Sequence, residues 1–367
     1  MSRRILFCRF VCVVMILGGG SIPAAQGREP AVRVIQVQQE GQKMFAAVDA
    51  SGAIHVATQT HQGPRYLRSD DNGAHFSPAL PMVVGRDDDP AGLEYTIWDF
   101  LVETNGQTHV ALGTNAWKLK LPKDQWGFYY ARRTPGADRF EPLRNINGVP
   151  SEGFSLAADG KGRVTACWLE DKLYANISRD GGATFEATVE VDPAADPCNC
   201  CTTAATYMRD GRLAIFYREE TGNQRDMHLL LWDQATGGTS RSRISRTPWQ
   251  IDACPMTYYS IRNRGTGLVL AWPTQGKIYF STLLAKPDSK STFDEIATGG
   301  ENGMRSGILA LSNPANETLV VWKKDDQLHW RVYDARNQPL GIAHSARSPG
   351  KGAAAIVDRD GQFAVLP

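Results

Sequence analysis

The chain reads as an all-β protein, a six-bladed β-propeller forming a single domain after a signal peptide, and three observations carry that reading. Glycine (35) and proline (20) are abundant and 9% of the 367 residues are aromatic, the composition of many short strands joined by turns. A short apolar strand pattern recurs about every 50 residues, the period of a four-stranded unit with its loops. Strand signals remain at both ends of the chain, so one terminus can close the last unit and remove an exposed sheet edge.

In chain order, residues 1–27 come first. Arg3, Arg4 and Arg9 precede the apolar run 10–17, which is followed by three glycines and the small-residue exit Ala25-Gln26-Gly27, the pattern of a secretory signal peptide. The run is too short to cross a bilayer, so no membrane span is expected. Export to the periplasm or the extracellular space is expected, and Ser2-Arg3-Arg4 leaves the twin-arginine route open. Residues 28–367 then make the propeller. A first strand signal lies at 32–37, and six repeated strands follow: Ile54-His55-Val56, His109-Val110-Ala111-Leu112, Val164-Thr165-Ala166-Cys167-Trp168, Leu213-Ala214-Ile215-Phe216-Tyr217, Leu268-Val269-Leu270-Ala271-Trp272 and Leu319-Val320-Val321-Trp322. Their starts are separated by 55, 55, 49, 55 and 51 residues, and we take them as the inner strands of six blades. Two stacked sandwiches would not demand such even spacing. The segment 353–357 supplies the closing strand.

Charge excludes one class of partner. The net charge is +1, with 40 basic against 39 acidic residues, which leaves no field to attract nucleic acid. Without the signal peptide the count becomes 37 against 39, and five of the seven cysteines remain.

A second motif lies within the repeats. Ser69-Asp70-Asp71-Asn72-Gly73-Ala74-His75-Phe76 and Ser178-Arg179-Asp180-Gly181-Gly182-Ala183-Thr184-Phe185 share Ser-x-Asp-x-Gly-x-x-Phe, with degenerate versions ending at Phe140 and Phe293. Ser69, Asp71, Gly73 and Phe76, and likewise Ser178, Asp180, Gly182 and Phe185, suit a hairpin: side-chain oxygens bond turn amides, glycine takes the positive φ, and the aromatic packs between sheets. These segments resemble the Asp-box (BNR) repeats of the sialidase-like propellers. The resemblance implies a structural role for the boxes, away from the active face. It also raises the possibility of an exo-acting glycoside hydrolase of sialidase type, which needs three arginines to clamp a carboxylate, a tyrosine nucleophile with a glutamate, and an aspartate acid/base. The Arg-Ile-Pro opening of that family has no counterpart here, since only Arg28 and Arg33 precede Ile54 and neither is followed by Ile-Pro. Arg218, Arg225, Arg305 and Tyr333, with Glu219, Glu220 and the acidic run 87–89, are the candidates for catalytic roles. Surface arginines and solvated acids are the plainer reading, which we favour.

The least ordinary stretch is Asp196-Pro197-Cys198-Asn199-Cys200-Cys201, joined by Trp249-Gln250-Ile251-Asp252-Ala253-Cys254-Pro255. Cys201 stands 12 residues before Leu213 and Cys254 14 before Leu268, so both precede the same strand of neighbouring blades and should meet at one mouth of the central channel. The same count brings Tyr95, Glu152 and Arg305 to that mouth. Cys198, Cys200, Cys201 and Cys254 are therefore candidate ligands for a soft ion, copper as Cu(I) above all. Disulfides tying the blades, or thiol redox chemistry, explain the same residues. The segment 190–275 as a whole is similar to exported bacterial sialidase-like propellers. Cys167 reads as an inert buried thiol, and no phosphate-cradling glycine loop occurs. The expectation is an exported propeller with a cysteine-rich, copper-binding site at the channel mouth, taking a small ligand, metal ion or glycan. The alternatives are the sialidase-type hydrolase and a disulfide-stapled ligand-binding propeller.

Overall fold

The computed structural model describes residues 30–39, 41–283, 293–302 and 305–367; the proposed signal peptide, and Arg28 with it, lies outside them. Among the described residues all regular structure is β except one short 3-10 turn at Lys123–Gln125, and no helix is long and apolar enough to cross a membrane.

Six antiparallel four-stranded sheets follow one another. Blade 1 is Gln42–Val48, Ile54–Thr60, Gly63–Ser69 and Leu80–Pro81. Blade 2 is Tyr95–Val102, Thr108–Thr114, Tyr129–Arg133 and Arg144–Asn145. Blade 3 is Glu152–Ala158, Val164–Leu169, Leu173–Ser178 and Val189–Glu190. Blade 4 is Thr203–Tyr207, Leu213–Thr221, Gln224–Trp232 and Thr239–Arg243. Blade 5 is Ser260–Arg264, Gly267–Thr274, Lys277–Leu283 and Ile296–Glu301. Blade 6 is Ile308–Ser312, Thr318–Lys324, Gln327–Tyr333 and His344–Arg347.

The expected count of six is corrected to seven. The two termini do not complete the sixth blade; they build a three-stranded sheet in which Ala355–Val357 pairs antiparallel with Phe363–Val365, and Arg33–Val34 lies parallel to the latter. This sheet packs on both sides. Phe363 and Val365 join Leu319, Val321 and Trp330 of blade 6, while Ile356 and Ala364 join Ile54 and Val56 of blade 1. A terminal strand inside blade 6 would have left those two apolar faces in water, which the ring avoids by inserting one more sheet.

A second correction concerns which strand repeats. The periodic segments are the second strands, buried on both faces, such as Leu213–Thr221 between Thr203–Tyr207 and Gln224–Trp232. The innermost strands are the ones before them. All first strands start at one end of the ring, and so do the loops that join a second strand to a third. The turns between third and fourth strands lie at the opposite end, and both Ser-x-Asp-x-Gly-x-x-Phe segments sit there. Ser69 Oγ donates to Asp71 Oδ1 at 2.8 Å and accepts from Gly73 N at 2.9 Å. Ser178 does the same with Asp180 (2.8 Å) and Gly182 (2.8 Å). Phe76 packs with the blade 1 and blade 7 core, and Phe185 sits edge-on to Tyr130 of blade 2, with ring centroids 5.1 Å apart. Gly182 has φ +82°, and a Cβ there would run into the Tyr130 hydroxyl.

Candidate functional site

The sequence places Cys201 two residues before Thr203 and Cys254 six before Ser260, the first residues of two neighbouring innermost strands. The four cysteines therefore gather at the strand-start mouth, as the spacing predicts. Their state differs from a cluster of four thiols: Cys200 and Cys254 form a disulfide that ties the loops leading into blades 4 and 5. Cys198 and Cys201 are free thiols buried beneath it, and Cys167, in the second strand of blade 3, is a separate buried free thiol.

The free pair is tightly placed. Cys201 Sγ donates to Cys198 Sγ at 3.2 Å, Cys198 Sγ lies 3.7 Å from Cys200 Sγ, and Arg225 donates an N–H to Cys198 Sγ at 3.0 Å. Local backbone bonds fix this geometry. Cys198 N donates to Arg218 O (2.8 Å) and Cys201 N to Cys198 O (3.0 Å), so the Cys-x-Cys-Cys segment turns back on itself against the blade 4 hairpin. The bond from Cys201, helped by the Arg225 charge, holds the Cys198 thiol down at about 7 despite burial. That same bond, with burial, pushes the Cys201 thiol well above the usual thiol range. Such asymmetry favours negative charge on Cys198 over Cys201. A soft ion fits the sulfur set in part. Cys198, Cys200 and Cys254 present sulfurs within 4.8 Å of one another, but bonded disulfide sulfurs are not thiolate donors, so a four-thiolate Cu(I) site belongs to the reduced chain.

The catalytic candidates are spread out. Arg218 is fully buried and donates to Arg225 O (2.7 Å), Thr257 Oγ1 (3.2 Å) and Pro273 O (2.8 Å), with its guanidinium 4.8 Å from the Trp249 ring centroid. Arg225 is held by Cys198 and by an ion pair with Glu220. Arg305 is exposed at the rim and donates to Met256 Sδ at 2.9 Å. Tyr333 ends the third strand of blade 6 at the far end of the ring, 4.5 Å from the Phe280 ring. Arg33 is spent on Asn72 and Asp358. Glu219 takes Arg241 and the Tyr217 hydroxyl, and Asp89 of the acidic run takes Arg86 and the Tyr95 hydroxyl. Tyr95 and Glu152 do stand at the mouth, each the first residue of an innermost strand.

Sequence reasoning missed the axial pocket. It opens between the innermost strands and is lined by Trp98, Asp99, Thr202, Tyr258, Arg262 and Lys351, among others. On blade 2 the pairing of the innermost strand with the second strand shifts at a β-bulge between Ile97 and Asp99, the kind of irregularity common beside sites. Asp99 accepts from Leu156 N at 2.8 Å and from Phe100 N at 2.8 Å. Burial raises its carboxyl and lowers Arg262, and each charge opposes the other's shift. Nearer the rim, Glu152 is raised by its recessed surroundings, with Arg305 opposing. Trp117, 59% exposed, stands on the loop after Thr108–Thr114, at the same end of the ring. An acid inside the apolar strand Ile97-Trp98-Asp99-Phe100 was the signal available in the sequence.

Fold and site together define a seven-bladed propeller with a polar and aromatic axial pocket and a sulfur cluster on its rim. No family model matches the chain, and no curated protein matches it. Solved structures do. An α-L-arabinanase from Penicillium chrysogenum, complexed with arabinobiose, is 13% identical over 84% of this chain and 99% of that one, with a TM-score of 0.53. An ulvan lyase of polysaccharide lyase family PL25 is 11% identical over 90% and 88%, with a TM-score of 0.53. The Aleuria aurantia lectin in complex with Fucα1-6GlcNAc is 13% identical over 85% and 96%, with a TM-score of 0.50. At such identities the likeness is one of fold: a β-propeller.

Proposed function

We propose that the protein is an exported, disulfide-stapled propeller that binds a glycan at its axial pocket. The observation that carries this is the pocket itself, whose lining brings the Asp99 carboxyl and the Arg262 guanidinium together with Trp98 and Tyr258. Polar groups fixed among aromatic walls are the usual means of holding a sugar's hydroxyls and its apolar face. Structural neighbours that carry arabinobiose and a fucosylated disaccharide support the reading, as does an inter-blade disulfide, which suits an oxidising compartment. Hydrolysis of sialidase type is not part of the proposal, because both terminal guanidinium nitrogens of Arg218 are committed to protein oxygens and Tyr333 stands at the opposite end of the ring.

A glycan array probed with the purified chain, followed by calorimetry on the hits, tests this. Binding should weaken by about tenfold or more in Asp99→Asn and Arg262→Gln. Absence of any glycan hit, or hits indifferent to both substitutions, overturns the reading. The gathering of four sulfurs favours a second reading, in which the fully reduced chain binds Cu(I) through Cys198, Cys200, Cys201 and Cys254. Titration of reduced protein with Cu(I) should then show about one ion per chain, lost in Cys254→Ser.

A further inference from the structure

The glycan proposal leaves the buried thiol pair without a task, and a staple needs only Cys200 and Cys254. The arrangement is a dithiol packed under a disulfide. Cys198 and Cys201 are buried, Cys200 and Cys254 are half-buried at the rim, and Cys198 Sγ stands between the two pairs, 3.2 Å from Cys201 Sγ and 3.7 Å from Cys200 Sγ. Arg225, itself buried, points a donor at Cys198 Sγ, where it stabilises negative charge.

We propose that these four cysteines form a thiol–disulfide relay that moves a disulfide between the rim and the interior. In the first step Cys198, as thiolate, attacks Cys200 Sγ. The Cys198–Cys200 bond forms, the Cys200–Cys254 bond breaks, and the bonding pair leaves on Cys254, which takes up through solvent the proton that Cys198 released. In the second step Cys201, as thiolate, attacks Cys198 Sγ. The Cys198–Cys201 bond forms, the Cys198–Cys200 bond breaks, and Cys200 leaves with the pair and gains the proton Cys201 gave up. One disulfide and two thiols are present before and after, so no outside oxidant enters. The outcome is positional: the disulfide is buried and two thiols reach the rim. There they meet the disulfide of a second molecule, which accepts their two electrons and leaves this chain with two disulfides. The substrate class is therefore an exposed disulfide, and the relay stands whether or not the axial pocket holds a sugar.

Disulfide mapping tests it. Protein purified without reductant is held folded under nitrogen at about pH 8, quenched in acid at intervals, tagged at its free thiols and digested for mass spectrometry. In the wild type three linkages should appear: Cys200–Cys254, Cys198–Cys200 and Cys198–Cys201. Cys201→Ser should stop at Cys198–Cys200, and Arg225→Gln should slow the approach to equilibrium about tenfold. The proposal is overturned if the wild type holds only Cys200–Cys254 throughout, with Cys198 and Cys201 tagged in full. The wild-type time course decides the matter even where a variant fails to fold.

Discussion

Asp71 and Asp180 each serve a turn with one carboxylate, and the structure shows what that is worth. The His75 backbone N–H, then the His75 ring and the Ser69 hydroxyl, hold Asp71 down at about 2. The Thr184 hydroxyl and backbone N–H, with the Ser178 hydroxyl, hold Asp180 lower still. Because both are depressed relative to the unfolded chain, their contribution to stability is present above about pH 4 and lost as pH falls through about 2. The stability gap between the wild type and an Asp71→Asn, Asp180→Asn double variant should therefore shrink across that window in urea titrations. A gap that stays constant to the acid end contradicts the assignment. At neutral pH Asp180→Ala should cost about 1 kcal/mol, since the lost hydrogen bonds are exposed ones, while glycan binding at the other end of the ring stays unchanged. His55 acts in the opposite medium. Buried, with Nδ1 on the Tyr66 hydroxyl (2.8 Å) and Nε2 on Asp49 (3.1 Å), it is lowered by burial, with Asp49 opposing. The unfolded chain binds that proton first, so this residue's contribution is full above about pH 6.5 and declines below it. Replacing His55 by Asn should flatten the pH dependence of stability just below that point, as read by urea titration at closely spaced pH values.

At the scale of the element, the second strands were legible and the first strands were not, for one physical reason. A second strand is covered on both faces, so Leu268-Val269-Leu270-Ala271-Trp272 carries an unbroken apolar run. An innermost strand faces the axis and keeps polar residues such as Ser260 and Arg262, or breaks its alternation at a bulge, as at Ile97–Asp99. Asp99 and Arg262 were hidden by the same feature. Strand signals at 32–37 and 353–357 were legible, but the three-residue Phe363–Val365 that joins them into a separate sheet was not, so they were assigned to the sixth blade. The cysteine spacing was informative because both lead-in loops end on the same strand of neighbouring blades, yet spacing could not say which sulfurs pair. The pairing matters for stability. The disulfide spans 54 residues, and loop closure of that size stabilises by about 4 kcal/mol in the chain-entropy view. Cys254→Ser should lower stability by an amount of that order in denaturant titrations. A loss below about 1 kcal/mol would show that blades 4 and 5 are already held by their shared core of Phe216, Trp272 and Phe280.

The molecule as a whole depends on closure. Six blades are built from consecutive chain, but the seventh exists only when residues 33–34 meet residues 355–365, and its side chains complete two inter-blade cores at once. Arg33 adds a bond to Asp358 at 2.9 Å across the same junction. A ring closed this way shares its strain: if the seventh sheet detaches, the facing surfaces of blades 6 and 1 are exposed together, and every other inter-blade contact loses the constraint that held it in register. Phe363, 1% exposed and packed against blade 6, is the place to probe this. Phe363→Ala should cost about 3 to 5 kcal/mol through the cavity it leaves. If closure couples the blades, far-ultraviolet circular dichroism and tryptophan fluorescence, which reports Trp168 in blade 3, Trp272 in blade 5 and Trp330 in blade 6, should shift to lower denaturant together in one transition. Two separated transitions, with the termini released first and the other blades unaffected, would show that the seventh sheet is an appendage to a six-bladed body and not the closure on which the ring depends.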